Sequence, residues 1–223
     1  MTERLFIFGL GFSGLEVARL AKAAGWSVAG TCTSVQKAER LRADGIEAHL
    51  FDGTAALPAT AIDAASHVLC TIAPGTTGDP ALRTSTRLLR RARWLGYLST
   101  TGVYGDHGGA WVDEETPPKP GQPRSLSRLA AERAWQALGL EAGAAVDIFR
   151  LPGIYGAGRS AIDQVRAGTA RRIDKPASVG DHRTRRSLSG AGAVLLSLDH
   201  GGCPILNLDP DFPLAGAVII GRP

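Results

Sequence analysis

Cysteine is scarce. The 223 residues contain three, Cys32, Cys70 and Cys203, too few and too far apart for a disulfide framework or a metal-spaced cluster. The five histidines, His49, His67, His107, His182 and His200, are equally scattered, so no metal site is expected. Apolar runs stay well short of the roughly 18 residues that a membrane span needs. Met1–Arg4 leads straight into Leu5-Phe6-Ile7-Phe8-Gly9, without the basic start, long apolar stretch and cleavage site of a secretory leader. A cytoplasmic protein without membrane contact is the expectation. Charge of one sign is also in short supply: 25 basic against 21 acidic residues leave +4, which accommodates an anionic ligand without requiring nucleic acid. No repeat of 20–50 residues is present.

Apolar material is plentiful. Hydrophobic residues make up 44% and charged residues 21%, enough for a substantial core. Up to Pro152 the chain alternates strand-like and helix-like segments, the signature of a parallel sheet covered by helices. Strands are predicted at Leu5–Phe8, Trp26–Thr31, Ile46–Phe51, His67–Ala73, Leu95–Thr100 and Val146–Leu151. Helical segments are predicted at Leu15–Ala21, Val35–Asp44, Pro80–Trp94 and Ser125–Leu140, and Asp106–Pro123 is predicted as a long surface loop. The right-handed crossover rule makes this an α/β, doubly wound parallel sheet, a Rossmann fold. Residues 1–158 are expected to form this dinucleotide-binding domain. Residues 159–223, with a short helix at Ser160–Ala167, are expected to be a small, irregular substrate-side segment rather than an independent domain.

The chemistry begins at Gly9-Leu10-Gly11-Phe12-Ser13-Gly14. This is G-x-G-x-x-G between a strand and a helix, the dinucleotide fingerprint. Gly9 makes the tight turn, Gly11 lets a pyrophosphate approach the backbone, and Gly14 lets helix and strand pack closely. The helix opening at Phe12 and Ser13 offers amide N–H groups and partial positive charge to the phosphates. NAD sites usually place an acid at the end of the second strand, to hold the ribose 2′-hydroxyl. Here that strand ends Thr31-Cys32-Thr33-Ser34, followed by Lys37 and Arg40. Hydroxyls and cations there point to NADP, with NAD left open. Asp52 is the candidate for the adenine amino group. Ile72-Ala73-Pro74, at the end of the fourth strand, and Leu151-Pro152, at the end of the sixth, are candidates for the other half of the cofactor.

Three further segments resemble one family. Leu98-Ser99-Thr100-Thr101-Gly102-Val103-Tyr104-Gly105 is similar to the Ser-Ser-x-x-Val-Tyr-Gly segment of extended short-chain dehydrogenases/reductases, the NAD-dependent epimerase/dehydratase family. Ser125–Glu132 resembles the helix that follows it there, and Phe149–Gly156 the next strand and loop. With the glycine loop, the resemblance runs from about Leu5 to Gly158. More narrowly, Tyr97–Asp106 and Trp111-Val112-Asp113-Glu114 look like the small atypical, YeeZ-like branch. The resemblance implies an oxidoreductase or epimerase acting on a hydroxyl or carbonyl, with Thr100 as the hydroxyl that polarises the substrate oxygen.

Two departures from the family stand out. Its Tyr-x-x-x-Lys acid/base pair is missing, with Arg124 and Arg128 at those places, and an arginine stays protonated and cannot shuttle a proton. Arg128 is then an electrostatic anchor for the nicotinamide ribose or an acidic substrate, and Tyr104 or Tyr155 is left as the candidate proton donor. The alternative is a non-catalytic NADP-binding sensor or scaffold. The second departure is Asp181–Gly190, which stands where relatives carry a His-x-Asp-Asp-Ile-like helix start, so the implied substrate lobe is small or incomplete. A basic group, Arg166, Arg171, Arg172, Lys175, Arg183, Arg185 and Arg186, lies where the family binds substrate and suits a small anionic or nucleotide-linked one. Relatives dimerise through the helices after the fourth and fifth strands. A homodimer is therefore open, with the stripe Arg83, Arg87, Arg90 and Arg91 opposing close packing of like charges.

Overall fold

The computed structural model describes residues 3–154, 161–170 and 205–207. Strands β1 (Arg4–Phe8), β2 (Ser27–Cys32), β3 (Glu47–Leu50), β4 (His67–Cys70), β5 (Trp94–Thr100), β6 (Ala145–Leu151) and β7 (Ile205–Asn207) form one sheet in the order β3-β2-β1-β4-β5-β6-β7. Every pairing is parallel. The chain order reverses between β1 and β4, and that switch point opens a crevice at the carboxyl ends of the strands.

Helices α1 (Phe12–Ala23), α2 (Val35–Ala43), α3 (Ala59–Ile62), α4 (Pro80–Leu89), α5 (Pro123–Ala142) and α6 (Ala161–Arg166), with a single 3-10 turn at Thr101–Val103, complete the described elements. Local chemistry sets their ends. The Ser34 and Asp79 side chains accept the N–H of Lys37 and Leu82 and so cap α2 and α4, Pro80 and Pro123 open α4 and α5, and Gly143 ends α5 in the left-handed conformation.

Because a parallel sheet is covered on both faces, its strands are buried almost throughout. One face packs Leu5, Ile7, Leu69, Leu98 and Phe149 with α1 and α2 residues such as Val17, Ala18 and Leu41. The other packs Phe6, Phe8, Val68, Tyr97 and Ile148 with Leu89 of α4 and Trp135 of α5. Each such large apolar side chain contributes roughly 1.5–3 kcal/mol on burial.

All six predicted strands are present, and four differences stand out. β4 ends at Cys70, not Ala73. Helix α4 ends at Leu89, because Arg93 N–H already donates to Ser66 O at 2.8 Å and starts the next strand beside β4. The short α3 and the three-residue β7 carried too little periodicity to be read. β7 also ties part of the 159–223 segment to the main sheet through β6. Among the described residues no helix is long and apolar enough to cross a membrane.

Candidate active site

The strand order brings the candidate residues to the carboxyl edge of the sheet. Gly9 sits at φ +93°, and its neighbours pin it from both sides of the switch point. Its N–H donates to Thr31 Oγ1 at 2.8 Å, and its carbonyl accepts from Thr71 Oγ1 at 2.7 Å. The next two glycines of the motif do different work. A Cβ on Gly14 would lie 2.1 Å from Gly9 O, so helix α1 approaches β1 closer than any side chain allows. A Cβ on Gly11 would meet nothing within 4 Å. Packing explains Gly14; space explains Gly11. The open volume there faces the first turn of α1, whose N–H groups have no acceptor within the helix.

That space belongs to an open cleft of about 160 Å³. Gly11, Phe12 and Ser13 line it on one side, Leu98, Ser99, Leu151 and Ile154 on the other, with Thr71 and Arg128 between the strand ends. Five of the predicted residues, Gly11, Phe12, Ser13, Arg128 and Leu151, therefore meet in one cleft. Thr71, Leu98, Ser99 and Ile154 also line the cleft, and their place beside predicted residues near the strand ends is the signal in the sequence that points to them.

Thr33 and Ser34 are exposed after β2, and Ser34 is engaged as the α2 cap. Lys37 is half-buried in the first turn of α2. The Asp52 carboxylate accepts the N–H and hydroxyl of Thr54 at 2.8 and 2.7 Å, and these bonds hold its pKa below the ordinary value. Ile72, Ala73 and Pro74 follow β4, and Pro152 follows β6.

Thr100 ends β5, half-buried, next to the cleft-lining Ser99 but itself outside the lining, and its Oγ1 accepts the Gly102 N–H at 3.1 Å, which leaves its own proton to donate elsewhere. Ser125 Oγ stands close by: a Cβ built on Gly102 would be 3.0 Å from Ser125 Oγ and 3.4 Å from Thr100 Oγ1. Arg124, one residue earlier on α5, is exposed.

Tyr104 lies elsewhere. It is completely buried, with the Arg150 guanidinium 4.7 Å from its ring centre, and it is absent from the cleft lining. A proton donor must reach the substrate. The geometry gives Tyr104 a packing place in a buried network in which Arg150 pairs bidentately with Glu132 (3.1 and 2.7 Å) and Ser99 donates to the same carboxylate. Burial opposes the Arg150 charge, but its partners, Glu132 foremost, outweigh burial and raise its pKa.

Arg128 is held firmly. Its Nη1 donates to Leu98 O at 2.6 Å, to Tyr97 Oη at 3.1 Å and to Ile72 O at 3.5 Å, so it bridges the ends of β4 and β5. The Tyr97 ring lies under the guanidinium at 5.6 Å, and burial raises the Tyr97 pKa. Of the arginine stripe, Arg90 and Arg91 pair with Glu141 and Asp63, and Arg83 donates to Gly53 O, so much of that charge is locally answered. In the basic substrate-side group, Arg166 is exposed on α6, while Arg171, Arg172, Lys175, Arg183, Arg185, Arg186 and also Tyr155 lie outside the described residues.

Comparison with known proteins follows the same lines. The NAD dependent epimerase/dehydratase family model matches residues 6–188. Protein YeeZ of Escherichia coli K12 is 29% identical over 170 residues, 70% of this chain and 61% of that protein. A solved structure of a functionally unknown conserved protein from Silicibacter pomeroyi is 39% identical, with a TM-score of 0.69 over 79% of this chain and 62% of the other. A UDP-glucuronic acid 4-epimerase from Bacillus cereus in complex with NAD shares the fold at 17% identity, with a TM-score of 0.60 over 72% of this chain and 60% of the other. The chain thus spans about three fifths of the length of each of these relatives.

Proposed function

The chain belongs to the NAD-dependent epimerase/dehydratase family, and from that membership we propose that it binds a nicotinamide dinucleotide in the Gly11 cleft, NADP in preference to NAD, and acts on a hydroxyl or carbonyl of a small anionic or nucleotide-linked substrate. The observation that carries the reading is the empty space over Gly11 beside a closely packed Gly14. One glycine is needed for packing, and the other leaves room that a pyrophosphate would fill. The preference for NADP rests on the end of β2, where Thr33 and Ser34 stand in place of an acid and Lys37 follows.

When bound, the dinucleotide supplies a site that gives or takes a hydride. The chain does the rest. Ser13 and its neighbours in the first turn of α1 hold the pyrophosphate, and Leu151 and Leu98 offer apolar walls. Thr100 donates a hydrogen bond from its hydroxyl to the substrate oxygen and polarises it. Arg128 anchors negative charge, and Ser125 adds a second hydroxyl beside Thr100. Residues 1–158 are the cofactor domain in this reading, and residues 159–223 contribute the substrate side.

A specific observation favours a second reading. Arginines at 124 and 128 replace the family's proton-transferring pair, which suits a module that binds NADP without turnover. One assay separates the two. Both readings expect NADPH to bind, seen by nicotinamide fluorescence, but only an enzyme oxidises it with some member of a panel of aldehydes, ketones and keto acids. Tight binding without oxidation across the panel defeats the enzyme reading. With a turned-over substrate in hand, Thr100→Val should abolish turnover while cofactor affinity stays within about threefold; full turnover in that variant removes Thr100 from the mechanism.

A further inference from the structure

The glycine loop is tied to both strands that flank β1. Thr31, near the carboxyl end of β2, is buried; its Oγ1 accepts the Gly9 N–H at 2.8 Å and its carbonyl accepts the Leu10 N–H at 2.7 Å. Thr71, just past the end of β4, works from the other side. Its N–H donates to Phe8 O at 2.9 Å, and its hydroxyl is shared between Phe8 O at 3.1 Å and Gly9 O at 2.7 Å. The two threonines thus hold Phe8, Gly9 and Leu10 where the chain leaves β1 for α1. Threonine suits the task, because a β-branched side chain is stiff at χ1 and the backbone at the strand end then aims its hydroxyl. The Gly9 carbonyl is the pivot. A Cβ on Gly14 would lie 2.1 Å from that oxygen, so the first turn of α1 rests directly on it. Glycine populates both signs of φ, and the φ of +93° at Gly9 is kept by what surrounds the peptide.

We infer that Thr71 is a positioning residue of the dinucleotide site: its hydroxyl holds the Gly9 peptide so that the first turn of α1 is set for the pyrophosphate before the cofactor arrives. The step rests on the cofactor reading above. Thr71 lines the cleft, yet its proton is committed to the loop, so it acts on the cofactor through Gly9. Thr31 secures the N–H side of Gly9, and Thr71 secures the carbonyl side. Without the Thr71 hydroxyl the carbonyl side is released, and the peptide spends part of its time in orientations that carry the α1 amides away from the space over Gly11. A site that is competent for only a fraction of the time binds more weakly by that fraction, while the core beneath it is unchanged.

Titration of the full chain with NADPH and with 2′-phospho-ADP-ribose, which carries the same phosphates without the nicotinamide, tests this directly. Thr71→Val keeps the shape and removes the donor. It should bind both ligands about tenfold more weakly than wild type while melting within about 4 °C of it. Thr71→Ser restores the hydroxyl and should bind within about threefold of wild type. Thr71→Cys, with the shape of serine but only a weak donor, should fall with Thr71→Val. Wild-type affinity in Thr71→Val overturns the inference, as does a Thr71→Ser protein as weak as Thr71→Val. So does a loss confined to NADPH, which would put the work of the hydroxyl on the nicotinamide half. Should Thr71→Val melt far below wild type, the serine and cysteine variants decide, and equal affinities in those two overturn the inference. Where the wild type prefers NADH, then NADH and ADP-ribose take the places of the two ligands. Failure of the cofactor reading looks different: the wild type then binds neither NADPH nor NADH.

Discussion

The two edges of the sheet are built from similar residue types and do opposite things. At the amino edge, polar and aromatic groups answer each other. Glu3 accepts from Arg93 at 2.6 and 2.7 Å and from Ser66, and Ser66 also meets His67 Nδ1 at 2.9 Å. The His67 ring sits between Trp26 and Trp94, and Trp94 donates to Asp147 at 2.7 Å. At the carboxyl edge, Gly11 faces open space, and the Arg128 Nη1 group donates to the carbonyls of Ile72 and Leu98 and to Tyr97 Oη. Among the described residues the amino edge is largely closed by its own side chains, the buried Arg4 Nε being an exception without a partner, whereas the carboxyl edge leaves an open cleft.

The sharpest way to break this contrast is on the glycine that belongs to packing. Gly14→Val places carbon 2.1 Å from Gly9 O, a backbone atom that cannot yield. The expected cost is several kcal/mol, comparable with the whole margin of a domain of this size. Loss of soluble, cooperatively melting protein is the expected result, and a wild-type melting curve would show that α1 and β1 are not so close. Next is Glu132→Ala, which strands the buried Arg150 without its carboxylate. A loss of about 3–5 kcal/mol in denaturant unfolding is expected; a loss below about 1 kcal/mol would show that the pair is not sealed from water.

A smaller effect tests the amino edge. Burial pushes the His67 pKa down to about 4, against an ordinary value near 6.5, with Glu3 only partly opposing. The unfolded chain therefore takes up this proton first as pH falls, and stability drops from about pH 6.5 downward. Between pH 7 and 5 the loss is about 2 kcal/mol, and His67→Gln should remove most of that slope. An unchanged slope in the variant would place the acid sensitivity elsewhere.

Legibility in the sequence followed distance along the chain. The Gly9–Gly14 loop was readable because strand, turn and helix are contiguous, and the six principal strands because each is a compact apolar run. Helix α3 spans four residues and β7 three, below the length at which periodicity is visible. Tyr104 is the instructive residue. Its place after β5 is a family hallmark, yet its burial depends on Arg150, 46 positions later, and on Glu132 holding that arginine. Arg128 teaches the same lesson: a helix residue whose role is set by carbonyls of Leu98 and Ile72, 30 and 56 positions away. Side-chain identity was legible, and the partner that fixes its work was not.

The most direct test is on Gly11. A Cβ there meets nothing within 4 Å, so the backbone itself does not oppose a side chain, which would occupy the place proposed for the pyrophosphate. Gly11→Leu and wild type, compared by thermal melting and by titration with NADPH and NADH, should melt within about 4 °C of each other while the variant loses at least about a hundredfold in affinity. A variant that binds both nucleotides as the wild type does, or a wild type that binds neither, contradicts the account.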